Sequence, residues 1–130
     1  MRNAKTTSRV ALALLMGVST GAAAFAAAAP TGEWAREDGL VRARVTRCGS
    51  NICATNTWTR DPNSVEKPGD RFIMTVRAAN PGHWTGSAFD PQRKLTFTVD
   101  LLVEGNRLMT RGCISGSAVC NSFGWTRIRN

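Results

Sequence analysis

Tyrosine is absent from this chain of 130 residues, histidine occurs once, and nine acidic side chains face seventeen basic ones. Each scarcity removes a class of chemistry. A Ser-His-Asp triad would have to be built on His83, and no Gly-x-Ser-x-Gly elbow presents a serine to it. His83 follows Pro81-Gly82 directly before a strand pattern, the setting of a loop-surface residue. No Cys-x-x-Cys occurs, so thioredoxin-type redox chemistry has no seat. Asp61, Asn63, Glu66 and Asp70 gather oxygen donors, but the glycine and terminal glutamate of an EF-hand are missing. Asp61-Pro62-Asn63 reads better as a side-chain-capped turn. A glycosidase needs two carboxylates on adjacent rigid strands, whereas Asp90, Asp100 and Glu104 read as turn or outward positions. No catalytic residue, metal site or cofactor emerges, and a hydrolase is the last of three functional readings.

Long apolar runs are missing too, except at the start. Residues 1–9 carry Arg2, Lys5 and Arg9 without an acid, and an apolar stretch from Val10 to Met16 passes through small residues to Phe25. Ala24-Phe25-Ala26 and Ala26-Ala27-Ala28 both fit a small-residue cleavage pattern. Basic flank, short apolar core and small exit read as a secretory signal peptide over residues 1–29, with the mature chain starting near Ala27 to Ala29. A membrane anchor is the alternative, but the stretch falls short of the ~20 residues a span needs. No cysteine stands at the cleavage point for a lipid, and no arginine pair directs export of a folded protein. Residues 30–130 then form one domain with fourteen basic and nine acidic side chains, a net +5. A domain of about 100 residues is near the size at which covalent staples help.

The four cysteines, Cys48, Cys53, Cys113 and Cys120, all lie in that domain. In an exported chain an even count reads as disulfides. The spacing favours Cys48 with Cys53 and Cys113 with Cys120, because each pair brackets a turn, Gly49-Ser50-Asn51 in one and Ser115-Gly116-Ser117 in the other. Either bridge would contribute on the order of 2 kcal/mol through loop entropy. The spacings are wider than those usual for zinc ligands.

What the domain does have is alternation with period two. Val41, Ala43 and Val45 alternate with arginines and threonine, Phe72, Met74 and Val76 with Ile73, Thr75 and Arg77, and Leu95 to Leu101 is apolar on one face only. Weaker patterns surround Trp34 and run from Ile52 to Trp58, Trp84 to Phe89, Leu108 to Cys113 and Phe123 to Ile128, making about eight strands. No stretch of the domain sustains a helical stripe. The longest irregular segment, residues 60–70, holds Pro62, Pro68 and Gly69. Eight short antiparallel strands must hide two edges, and an up-and-down barrel does so by pairing the first strand with the last. A small β-sandwich is the alternative.

The net positive charge invites nucleic acid, yet the arginines are spread and no basic run or RNA-binding signature occurs. The charge suits solubility and an anionic envelope surface instead. Four tryptophans in about 100 residues are unusual. Core packing explains any one of them; an aromatic-lined cavity would use several.

Several motifs occur in an order that resembles an exported bacterial family, the domain-of-unknown-function family twenty-one forty-seven. They are Gly32-Glu33-Trp34, Cys48 to Cys53, Asp61-Pro62-Asn63, Trp84 to Pro91, Arg111-Gly112-Cys113-Ile114 and Trp125-Thr126-Arg127. The resemblance covers roughly residues 32–128. It implies a small antiparallel barrel similar to the lipocalin-like group and supplies no catalytic residues. Barrels of that group often carry Gly-x-Trp on the first strand and an arginine on the last, and Gly32, Trp34 and Arg127 or Arg129 stand in that order.

The expectation is a monomeric, disulfide-stapled barrel, periplasmic or secreted, with no membrane span after cleavage. Its first reading is a non-catalytic binding module for a small or amphipathic ligand. Trp34, Trp58, Trp84, Arg111, Trp125 and Arg127 are the candidate binding residues. An envelope interaction protein, its barrel filled and its loops displayed to a protein or polymer, is the alternative. Trp34 would meet Arg127 or Arg129 and plug one end, leaving residues 60–70 as a lid over the other.

Overall fold

A computed structural model describes residues 11, 13–17 and 28–130. The signal-peptide reading falls chiefly on residues outside these. From Gly32 onward the chain is all-β, with β1 (Gly32–Arg36), β2 (Val41–Cys48), β3 (Asn51–Thr59), β4 (Arg71–Asn80), β5 (His83–Asp90), β6 (Leu95–Glu104), β7 (Arg107–Ile114) and β8 (Cys120–Arg129). Every strand pairs antiparallel with its neighbour in sequence, and β1 closes on β8. The architecture is an up-and-down eight-stranded barrel, not a sandwich.

Alternation decides which side chains enter the barrel. On β2, Val41, Ala43 and Val45 are buried while Arg42, Arg44 and Thr46 are exposed. Pairing carries that parity around the wall: Val45 lies opposite Ala54, Ala54 opposite Phe72, and Met74 opposite Ala88. Val99, Leu101 and Val103 on β6 and Leu108 on β7 continue it, and with Trp34, Val45, Met74 and Ala88 they make one core. Parity breaks once on β2–β3, where a bulge follows Arg42. Beyond it Trp58 sits opposite Arg42 on the outer surface, 40% exposed, with the Arg42 guanidinium 5.1 Å from its ring.

Both disulfides join the expected partners, Cys48 to Cys53 and Cys113 to Cys120. The first clips the β2–β3 hairpin. The second links directly paired residues of β7 and β8. They lie at opposite ends of the barrel, because β2 and β7 run in opposite directions towards their hairpins.

One end is sealed by residues 28–31 and the β1–β8 seam. Trp34 is fully buried, lies opposite Arg127, and has the Arg127 guanidinium 4.2 Å above its ring. Trp34 Nε1 donates to the Pro30 carbonyl at 2.8 Å, and Trp84 Nε1 to the Ala28 carbonyl at 3.0 Å. Arg127 donates to the carbonyls of Thr31 and Ala29 at 2.6 and 3.3 Å. Gly32 is needed here for two reasons. Its φ of +134° disfavours a side chain, and a Cβ would stand 2.7 Å from Arg127 Nη1 and 2.8 Å from the Arg129 carbonyl.

Candidate functional site

The barrel interior is not filled. A cavity of about 400 Å³ runs from Pro30 and Trp34 at the sealed end to the β3–β4 loop at the other. Its size is within the range of small-molecule sites. Eight strands enclose room for either side chains or one small ligand, and here the inward residues are small where they could have been large. Ala43, Ala54, Ala88 and Gly112 face the space, while Phe72, Met74, Phe97, Val99 and Leu101 give it an apolar wall. Phe72 and Phe97 meet edge to face, with ring centroids 6.0 Å apart.

Polar groups gather at the open end, and most come from the loop of residues 60–70 and the strand ends beneath it. Arg36, the last residue of β1, points inward by the same parity as Trp34 and is 6% exposed. Its Nη1 and Nη2 donate to the two carboxylate oxygens of Glu66 at 2.8 and 2.9 Å, and its Nε to Asp38 at 2.8 Å. The guanidinium lies 4.5 Å from the Phe123 ring and 5.8 Å from that of Trp125. Burial alone would lower the Arg36 pKa, but the two carboxylates hold it above its ordinary value.

Asp90, at the end of β5, corrects the sequence reading of an outward or turn carboxylate. It shares the inward parity of Ala88 and is 1% exposed. The chain reverses directly after it, and the turn folds its donors back onto the carboxylate. The backbone N–H groups of Gln92 and Arg93 donate to it at 2.9 and 3.1 Å, the Gln92 amide at 2.7 Å and Arg93 Nη1 at 3.0 Å. Burial pushes the Asp90 carboxyl up, but these donors, Arg93 foremost, leave it below its usual value. Arg93 reaches on to Asp70 at 3.1 Å and to the Val65 carbonyl.

The loop has internal structure. Asn63 N–H donates to Asp61 Oδ1 at 2.8 Å, forming the expected capped turn, and Lys67 Nζ donates to the Pro62 carbonyl at 2.7 Å. Its ends are tied to the barrel by backbone bonds, from Arg60 to Leu40 and between Asn56 and both Gly69 and Asp70. Val65, Glu66 and Asp70 border the cavity. The loop therefore roofs the interior.

The six candidate binding residues separate in space. Trp34 and Trp125 border the cavity, Trp125 with Nε1 donating to Thr110 Oγ1 at 3.0 Å. Arg111 also borders it, but the alternation of β7 turns its side chain outward, opposite Asp100 and Ser122. Trp84 and Arg127 belong to the sealed end, and Trp58 to the outer surface. Burial lowers the Arg127 pKa. His83 opens β5 and pairs with Asp100 at 2.9 Å on the outer wall. Arg36, Glu66, Asp70, Asp90 and Arg93 were not singled out as binding residues. The signal for Arg36 was two residues away: any residue at i+2 of a buried strand tryptophan shares its face.

An all-β up-and-down barrel with an open apolar interior and an ion-paired roof is the class that fold and site define. The chain belongs to the bacterial family described as uncharacterized protein conserved in bacteria (DUF2147), which it matches over residues 32–127. No curated protein and no solved structure matches it.

Proposed function

We propose that this protein is a non-catalytic binding module, acting as a monomer, that takes a small or amphipathic molecule into the barrel. The carrying observation is the cavity of about 400 Å³ with small residues on its inward positions. Burial of apolar surface drives entry, at roughly 25 cal/mol per Å² removed from water. The filled barrel of an interaction protein would have placed larger side chains at Ala54, Ala88 and Gly112.

Two disulfides and the leader-like first 29 residues support an oxidising compartment, the periplasm or the exterior. Exposed arginines on the outer wall, Arg42, Arg47 and Arg77 among them, support residence near an anionic envelope surface.

Gly112 supplies the test. A Cβ there would lie 3.8 Å from Phe97 and Val99 atoms, an ordinary contact, so the backbone accepts a side chain and a longer one is directed into the cavity. The native protein is expected to carry a small non-covalent adduct in native mass spectrometry and to bind the neutral fluorophore N-phenylnaphthylamine. Gly112→Leu is expected to keep the fold by circular dichroism and lose at least tenfold in affinity for the fluorophore. A bare native mass with no fluorophore binding sinks the proposal.

A further inference from the structure

We infer that the ligand is an apolar molecule with a carboxylate head, and that Glu66 occupies the head-group position on Arg36 while the roof is closed. The inference rests on the binding-module reading and adds the chemistry of the polar end.

Arg36 is set in place by the barrel rather than by the loop. Its Nε is held by Asp38, two residues along the chain, and its flat face lies on Phe123 and near Trp125 of β8. The remaining edge, Nη1 and Nη2, presents two parallel donors at the boundary of the cavity. That fork matches the two oxygens of one carboxylate, and a carboxylate sits there now, supplied by a residue thirty positions away. A carboxylate ligand would meet the same two donors in the same geometry, with its tail directed along the apolar wall.

The roof is built so that this exchange is local. Among the described residues, the hydrogen bonds and ion pairs that tie residues 61–67 to the barrel are the Arg36–Glu66 pair and the Arg93 bond to the Val65 carbonyl. Both arginines are rooted in the barrel; Glu66 rides on the middle of the roof, whereas Asp70 stands at its tied end, its carbonyl held by the Asn56 N–H. Lifting residues 61–67 therefore removes one negative charge from the mouth, that of Glu66, and frees the Nη1 and Nη2 donors of Arg36. Arg93 stays neutralised by the buried Asp90. Arg36 keeps only Asp38, on its other edge. The opened mouth thus offers an anion the paired donors of Arg36.

Decanoate, decan-1-ol and decylammonium test this, because they share a tail and differ in the head. Calorimetry at neutral pH is expected to rank decanoate first and decylammonium last. Glu66→Gln, on a part-exposed loop position, takes the charge and one acceptor from the competitor and is expected to tighten decanoate binding by about tenfold, the scale of one charged hydrogen-bonded contact. Decan-1-ol should gain far less. Arg36→Lys keeps the charge but loses the fork, and should cut decanoate without weakening decan-1-ol, with circular dichroism confirming the fold. Equal tightening of decanoate and decan-1-ol by Glu66→Gln would make the ion pair a simple lock and overturn the inference, with the cavity reading intact. Absence of binding by all three would remove both.

Discussion

Two buried charged residues show how strand parity and local turn chemistry combine. Arg36 and Asp90 both stand at the open end of an inward-facing row, and a charge in that position must find partners or unfold the strand end around it. Asp90 finds them within three residues, through the Gln92 and Arg93 backbone and side chains. Its carboxyl is held below the usual carboxylate range. A depressed folded-state pKa contributes stability at pH values above the unfolded value, near 4, and that contribution is lost as pH falls through the folded pKa. Urea unfolding measured from pH 7 to pH 2 should show stability declining across the acidic end. Asp90→Asn should cost on the order of 2 kcal/mol at pH 7 and flatten that decline. An unchanged slope would mean that other carboxylates carry it.

At the scale of elements, the four residues before β1 behave as part of the barrel. Ala28, Ala29, Pro30 and Thr31 each offer a carbonyl to a side-chain donor from β5, β8 or β1. A chain made to begin at Ala27 keeps the Ala28 carbonyl, and one made to begin at Ala29 loses it. The shorter chain also sets its α-ammonium on the residue whose carbonyl Arg127 holds. Unfolding of the two chains should place the one starting at Ala27 about 1 kcal/mol above the other. Equal midpoints would show that Trp84 Nε1 is satisfied as well by water. The roof is the contrasting element. Its prolines and its capped turn shape it internally, and two arginines hold its middle to the mouth.

Closure is a property of the whole molecule, and Trp34 is where it can be measured. Trp34 is 0% exposed, packs in the core, forms the floor of the cavity and lies on the β1–β8 seam against Arg127. Trp58 packs outside under Arg42. Trp34→Ala should cost about 3–5 kcal/mol, and Trp58→Ala about 1 kcal/mol. Equal losses in urea unfolding would deny the seam its role. Hydrogen exchange would add the spatial view, with β1 and β8 losing protection together in Trp34→Ala.

Much of this was legible in the amino-acid order because it depends on local pattern. Period-two alternation marked eight strands, turn residues separated them, and each cysteine pair bracketed its own turn. The need to hide two edges favoured closure over a sandwich, and with it a meeting of Trp34 with Arg127 or Arg129. What only the tertiary structure decided depends on sums over many strands. Whether the interior is full or open follows from the combined volume of inward residues on all eight strands, once shear has set which ones share a level. Trp58 moved outside because a bulge after Arg42 shifted parity, and no residue type announced it. Arg36 met Glu66 across thirty residues because the roof crosses the mouth, a path set by where β3 and β4 end in space. Sequence specifies each neighbour along a strand; the barrel's curvature chooses which distant side chains share its mouth.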